Sequence, residues 1–416
     1  MLRPGRVPVW LMGLTNLSFG LYGGVVAFAI PQLLGDRNVP ETAIAGLTAV
    51  AVSPGFYAFL VSPILDVRFS RRWYAVAMAI VASLTLVVAF LNLDHLVMLE
   101  TTLTVGFFAA YLYTSAVGGW LSSITSGEEE KSVSVWITIG NVGGFSVMAT
   151  SCNQLAHLLS PISLALVMGA SILLPTFVFP FMQAPGSDRC LASESFPQFL
   201  GDLVSLVKRR DVIVAIILFA APSATFSLTN FLGSRGNDFH ALPGFVGLAG
   251  GVGGGAAGVM GCLVFPALSR LMPLRPLYLA VGIVGAVFTL GLILLPRTPG
   301  SYAIVLITED LFQALAITTS VAVTFEIIGR DNPLASTTFC FINSAYNVPI
   351  TYMLYVDAFG FAHGGITGSL AIDAITGIVA SVLLAVMLLW LPRRPNRNDQ
   401  DYLQPRDLIS GADGTR

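Results

Sequence analysis

The chain has 416 residues, 55% hydrophobic and only 11% charged, with 21 Lys and Arg against 23 Asp and Glu and a net charge of −2. Soluble domains carry roughly 25% charged residues, so a mean hydropathy of +0.79 excludes a water-soluble fold of this length. Neither sign of charge forms a continuous field and no basic patch is interleaved with aromatics, which excludes nucleic acid as a partner.

Apolar stretches of about 20 residues are long enough to cross a bilayer as helices. They fall at 9–34, 41–63, 73–93, 96–123, 132–158 and 162–183, and again at 212–233, 243–268, 276–296, 299–327, 334–357 and 366–391. The predicted fold is an all-α polytopic membrane protein of twelve transmembrane helices in two six-helix pseudo-repeats. Its expected parts are an N-terminal half over 1–183, a cytoplasmic linker over 184–211, a C-terminal half over 212–391 and a mobile cytoplasmic tail over 392–416. Arg3 and Arg6 precede the first span as in a signal peptide, but the apolar stretch is too long and lacks a small-residue cleavage site, so it reads as a retained helix. Within the linker, residues 196–209 alternate Phe, Leu and Val with polar residues at helical spacing, as in a helix lying on the membrane surface. The tail is rich in Arg, Asp, Asn and Pro and poor in apolar residues.

The polar turn SPILDVRFSRR at 62–72 is echoed by FPALSRLMPLR at 265–275, a shift of 203 positions. Pro63 then falls on Pro266, Arg72 on Arg275 and Gly55 on Gly258, while Glu128, Glu129 and Glu130 fall on Asp331, Asn332 and Pro333. A parallel repeat of six spans is a layout of secondary transporters, whose halves rock against one another about a site at their interface. With the N-terminus inside, every one of the 21 Lys and Arg except Arg37, Arg235 and Arg297 falls on the inner side. The positive-inside rule therefore puts both termini in the cytoplasm of an inner-membrane protein.

The eighth span carries Gly247, Gly250, Gly251, Gly253, Gly254, Gly255, Gly258 and Gly261. Its string from Gly251 to Ala256 imitates a dinucleotide-binding turn, yet no strand precedes it and it lies inside an apolar span. Gly250, Gly254 and Gly258 at four-residue intervals instead make a small-residue face for close helix approach. The fifth span has Gly140, Gly143 and Gly144, so these two helices, one from each half, are expected to form either a sliding contact or ordinary tight packing.

In the 62–72 turn, Asp66 is followed by Arg71 and Arg72. An acid there can meet a helix N-terminus or a neighbouring guanidinium and lock one face closed until the halves move. Asp66, Arg71, Arg72 and the repeat-related Arg275 are the candidate gating residues; Ser269, the counterpart of Asp66, is not acidic, so any such lock is lopsided. Ionisable groups inside the spans are few, and each costs enough at mid-membrane to be informative. Glu309 and Asp310 lie about ten residues into the tenth span, roughly 15 Å deep. Neighbours on a helix differ by about 100°, so one is expected to face a cavity and the other an adjacent helix; both are candidates for carrying a coupling proton. Asp373 and Glu326 read as interfacial or packing acids. Uncharged groups that could line a cavity are Asn16, Tyr22, Tyr111, Tyr113, Thr114, Asn230 and Gln313, with Asn343 and Asn347 four apart on one face of the eleventh span; Ser223, Thr225, Thr229 and Thr318 belong to the same region. No Lys or Arg is embedded in a span, which favours a neutral, zwitterionic or cationic cargo over one with several anionic groups.

Cys152, Cys190, Cys262 and Cys340 have no C-x-x-C spacing and read as free thiols, neither a disulfide framework nor a metal site. No cofactor is implied. No H-E-x-x-H, no G-x-S-x-G and no clustered His speaks for an enzyme.

The twelve spans, the doubling, the central linker and the turn LDVRFSRR resemble the major facilitator superfamily, over about residues 9 to 391. FLVSPILD at 59–66, followed by Arg71 and Arg72, looks like the second-helix signature of AmpG-type muropeptide permeases and their acetyl-CoA transporter relatives, and Glu309-Asp310-Leu311 is similar to that group too. The turn departs from the superfamily pattern in having Ser62 and Ser70 where glycines are usual. On the fourth span Phe107-Phe108 is followed by no acid, whereas that group tends to place acids there. The resemblance implies proton-coupled transport through inward-open and outward-open states, with Asp66, Arg71 and Arg72 in the inner gate.

The function expected is therefore secondary active transport of a small or medium organic solute by a monomer embedded in lipid, with the proton as coupling ion. The alternatives are an uncoupled facilitator or exporter of lipophilic compounds and, in another class, a membrane enzyme or receptor.

Overall fold

The structure is a computed structural model that describes residues 7–184, 196–224, 227–233, 235–329 and 332–390. Arg189, Cys190, Thr225, Asp331 and the tail lie outside the described residues. The described residues form an all-helical bundle. In the first half, α1 (Val9–Asp36), α2 (Glu41–Leu60), α3 (Arg71–Leu91), α4 (Leu96–Ile124), α5 (Glu128–Leu158) and α6 (Pro161–Phe181) are each long and apolar enough to cross a membrane. In the second half the same holds for α8 (Gly244–Leu268), α9 (Leu274–Leu292) and α10 (Pro299–Ile328), and for the continuous stretch Ala335–Trp390. The register of the repeat is visible in where helices begin: Glu41 and Gly244, Arg71 and Leu274, Leu96 and Pro299 are each separated by the same 203 positions as the two polar turns.

Two spans differ in detail from their expected form. The seventh, α7, is two pieces, Arg210–Phe219 and Ser227–Gly233; Pro222 sits between them, and a proline inside a helix removes a hydrogen bond and clashes with the preceding turn. The stretch Ala335–Trp390 breaks at Gly364 and Gly365, the latter with φ 59°, a left-handed conformation that costs glycine nothing. This two-residue turn divides α11 (335–363) from α12 (366–390), and α11 runs past the expected end at 357 because so tight a turn needs no polar loop. Between the halves a helix runs over Phe196–Lys208, within the stretch where helical spacing was expected; Leu206 is buried, while Val204 and Val207 are exposed.

Each half has an aromatic-rich core. Tyr22, Trp120 and Phe179 anchor the first, and Phe219, Phe265 and Tyr278 the second. The first core also reaches Phe325 of α10 and Phe339 and Cys340 of α11. The halves are thus packed solid near the face that carries the 62–72 turn, called the Asp66 face below; Arg37 and Arg297 mark the opposite face.

Turns of π-helix occur at Val25–Ala29 in α1, which is also broken at Thr15–Asn16, and at Leu248–Gly253 in α8. Such bulges gather at functional sites, and residues from both face the same space between the halves.

A cavity between the halves and the lock beneath it

The Asp66 face contains a buried ion pair. Arg71 Nε donates to Asp66 Oδ1 at 2.8 Å, with both side chains fully shielded from solvent. Arg71 Nη2 also donates to the backbone oxygens of Pro333 at 2.8 Å and Asn332 at 3.3 Å, in the segment that leads into α11. Asp66 in turn accepts from the N–H of Ser336 at 3.2 Å, the N–H of Thr337 at 2.8 Å and the Thr337 hydroxyl at 2.8 Å. These N–H groups are among the first-turn donors that a helix cannot satisfy itself, and α11 has no acid of its own in that turn. A carboxylate from the short 3-10 turn Ser62–Asp66 that follows α2 in the first half therefore caps a helix of the second half, supported by the helix dipole. Ser70 accepts from the Arg72 N–H as the N-cap of α3.

Two close approaches seal the same face. A Cβ at Gly119 of α4 would run into the backbone and hydroxyl of Ser336, and one at Gly118 into the ring of Phe339. Phe59 of α2 packs on Phe341 of α11 with ring centroids 5.3 Å apart.

Above this seal lies a cavity of about 620 Å³. Its floor is Gly55, Tyr111, Asn343 and Asn347, and its walls run to Gln32, Asn237 and Tyr302 near the Arg37 face. The Tyr111 hydroxyl accepts from Asn347 Nδ2 at 2.8 Å and from Asn343 Nδ2 at 3.2 Å, and Asn347 Nδ2 also lies 3.4 Å from the Gly55 oxygen. Tyr111 and the two asparagines thus bridge α4 and α11 across the middle of the molecule. Phe19, Phe28, Phe107 and Phe145 give the cavity an aromatic side, and Asn141 and Asn230 add amides. Asp310 is the one formally charged residue among the described residues that line it.

Glu309 and Asp310 point in different directions. Asp310 lies on the cavity wall against Gly254 of α8, where any Cβ would collide with its carboxylate. Glu309 is buried inside the second half and receives the hydroxyl of Thr289 from α9. It borders a separate chamber of about 20 Å³, with Thr289 and Asp373 on the other walls.

Of the other residues proposed for the cavity, Tyr111, Asn230, Asn343 and Asn347 line it, with Thr229 beside Asn230. Asn16, Tyr22, Tyr113, Thr114 and Gln313 do not. Thr114 donates to Asn16 Oδ1 at 2.6 Å, Tyr113 donates to the Thr15 oxygen at 2.6 Å and stacks near Phe179, and Tyr22 reaches the Leu103 oxygen at 3.4 Å. These groups join α1 to α4 within the first half, because buried hydroxyls and amides need partners wherever they fall. Gln313 is buried with its Oε1 accepting from Thr229 at 3.1 Å. Arg72 is only half-buried and its side chain takes no part in the bonds that hold Asp66. At the repeat-related turn, the Ser269 hydroxyl turns back to the Pro266 oxygen at 3.3 Å and Arg275 Nε has no hydrogen-bond partner.

The expected contact between α5 and α8 exists with a different set of residues. Gly251, Gly255 and Gly258 of α8 face Thr150, Ser146 and Val142 of α5, whereas Gly254 faces Asp310 and Gly250 faces Leu306. Gly140 and Gly144 of α5 lie instead against Leu17 and Leu21 of α1, within the first half. Spacing on one helix identified a smooth stripe but could not say which neighbour meets it.

The residues that sequence reasoning passed over are Asp357 of α11 and the cavity phenylalanines. Asp357 is fully buried and accepts from the Ser227 hydroxyl at 2.6 Å. Placing the end of the eleventh span at 357 made it look like a membrane-surface acid.

No family model matches the sequence, and no curated protein matches it. Among solved structures the whole bundle finds counterparts. The fucose:proton symporter of E. coli superimposes with a TM-score of 0.68 at 13% identity, covering 92% of this chain and 99% of the other. A proton:xylose symporter of the major facilitator superfamily gives a TM-score of 0.66 at 15% identity, covering 92% and 95%. A human organic anion transporter gives 0.64 at 14% identity, covering 92% and 100%. At these identities the likeness establishes the fold: a multi-pass helical membrane architecture shared with major facilitator transporters.

Proposed function

We propose that the protein is a secondary active transporter of the major facilitator superfamily that moves a small or medium organic solute by alternating access, coupled to protons. The observation that carries this reading is the cavity of about 620 Å³ between the halves, shut at one face by the Asp66–Arg71 pair on the N-terminus of α11. A lock whose two sides come from different halves exists only while that face is closed, so it stabilises one state and is lost in the other. With both termini on the cytoplasmic side of an inner membrane, the conformation described is outward-facing, and Asp66, Arg71 and the supporting Arg72 make the inner gate.

Asp310 on the cavity wall and Glu309 behind it are the carboxyls assigned to proton coupling. The cargo is neutral, zwitterionic or cationic: the lining offers aromatic faces, amides and one carboxyl, and no guanidinium or ammonium to hold an anion. The FLVSPILD signature of α2 keeps a kinship with the AmpG-type group within this reading, without its muropeptide cargo. The protein acts as a monomer, without a cofactor. An uncoupled facilitator or exporter of lipophilic compounds is the second reading, favoured by the aromatic side of the cavity.

The two readings separate in proteoliposomes loaded with a pH-sensitive dye and challenged with sugars, amino acids, nucleosides and organic amines. Coupled transport moves the lumenal pH when a cargo is added, and Asp310→Asn keeps cargo exchange while losing that pH change. Cargo entry with no pH change in the unsubstituted protein contradicts proton coupling.

A further inference from the structure

The second half contains two buried carboxyls and a third that is half-buried, none of them on the cavity wall. Glu309 comes from α10, Asp357 from α11 and Asp373 from α12. Gly360 of α11 packs directly against Gly368 and Ile372 of α12, which sets Asp357, one turn before Gly360, beside Asp373, next after Ile372. Asp357 Oδ2 is taken by Ser227, but its Oδ1 is buried and has no hydrogen-bond partner. A fully buried acceptor left without a donor is a costly arrangement. Its neighbour is another carboxyl, which can only accept while both are ionised, and two carboxylates in contact repel. One proton between them removes both problems: Asp373 as the acid donates to Asp357 Oδ1, and the pair carries a single negative charge.

The surroundings fit a proton better than a metal ion. Among the described residues no group of three or more acidic, His or Cys side chains is disposed to hold a metal. Glu309, Thr289 and Asp373 instead face the chamber of about 20 Å³, whose remaining wall includes Gly282, Gly285 and Gly377. That volume accommodates a single water, enough to pass a proton between Glu309 and Asp373. The elements packed around the pair bring Ser227 from α7 and Thr289 from α9, neither ionisable, and Glu309 from α10. Of the bases nearest along the chain, His363 is exposed with its Nδ1 2.9 Å from the Phe359 oxygen, and Arg297 is engaged with Thr367 at 2.6 Å and lies over the Phe239 ring.

Resting on the proton-coupled reading above, in which Asp310 and Glu309 carry the proton, we infer that Asp357 and Asp373 hold it beyond Glu309, across a one-water chamber inside the second half. Binding transfers one proton to the carboxylate pair and forms one O–H···O bond; release returns it through the chamber and leaves two anions that repel across the α11–α12 hairpin. Proton occupancy is thereby written into the packing of α10, α11 and α12, and α11 is the helix that Asp66 caps at its other end.

The test uses the full chain in lipid nanodiscs, read by the infrared carbonyl stretch of buried protonated carboxyls. The unsubstituted protein shows this band at neutral pH, and Asp357→Asn and Asp373→Asn each lose it. Persistence of the band in both variants overturns the inference, and loss in Asp373→Asn alone overturns the shared pair. Each variant is accepted only if monodisperse with a cooperative thermal transition; should Asp357→Asn not fold, Asp373→Asn together with Glu309→Gln decides, a band surviving both overturning the inference. The dye-loaded proteoliposomes keep the two claims apart. A band lost as expected alongside cargo entry that never moves lumenal pH overturns the coupled reading, and with it any role for this proton in transport. Intact cargo-driven pH change in both variants overturns the inference and leaves coupling standing.

Discussion

The two polar turns of the repeat occupy equivalent places and do different work. The first supplies Asp66 to the N-terminus of α11, and the second offers Ser269, whose hydroxyl folds back on its own helix. The reason lies in the helices they would cap. The counterpart of α11 is α5, which opens with Glu128, Glu129 and Glu130, whereas α11 opens with no acid. A helix N-terminus favours nearby negative charge; α5 carries its own, and α11 takes it from across the interface. The lesson is that a symmetric fold places its polar contact between the halves in one of two equivalent turns, according to which facing helix lacks an acid of its own.

That contrast can be broken at several points, each read as the distance between spin labels placed on the two halves at the Asp66 face. The largest effect is expected from Asp66→Asn or Arg71→Ala. The ion pair itself lies within the first half, so what is lost in the closed state alone is the set of charge-assisted hydrogen bonds to the start of α11; at about 1.5–3 kcal/mol each, their loss raises the population with this face open by an order of magnitude or more. Next comes Gly119→Val, which forces a side chain against Ser336. Overpacking of this kind costs about 1–3 kcal/mol, again only when the face is shut, and the label distance lengthens without any change in charge. Ser269→Asp sharpens the comparison: a new carboxylate near the acidic start of α5 gains no lock, and the closed population changes by no more than about 1 kcal/mol in equivalent free energy. Arg72→Ala is the smallest, within about 0.5 kcal/mol, as for other substitutions away from buried networks. An Arg72 effect as large as that of Arg71 would show that the guanidinium outside the ion pair bears the closure.

Much of this organisation was legible in the residues themselves. Twelve apolar stretches and a 203-residue echo specified the bundle, because lipid leaves helices as almost the only way to satisfy the backbone. The division of labour between Glu309 and Asp310 followed from the angle between adjacent helical positions. Asp66 stood out as an acid in a turn otherwise full of arginine, and Tyr111, Asn343 and Asn347 as polar groups on interior spans. What escaped was pairing. Asn16, Tyr22, Tyr113 and Thr114 have the chemistry of a binding site and spend it on joining α1 to α4, and a sequence does not say which of two polar neighbours is a helix and which is a ligand. Asp357 escaped because a turn of two glycines is shorter than the polar loop that usually announces the end of a span. The cavity phenylalanines are indistinguishable along the chain from those that face lipid.

The claim at the centre of this account is that access to one cavity alternates between two faces and that the Asp66–Arg71 pair holds one of them shut. The most direct measurement places two label pairs in the same full-length protein, one pair spanning the Asp66 face and the other the Arg37 face, and compares distance distributions with and without Asp66→Asn. The expected result is a reciprocal change: a longer distance across the Asp66 face and a shorter one across the Arg37 face. Distances that stay fixed, or that lengthen together at both faces, would contradict it.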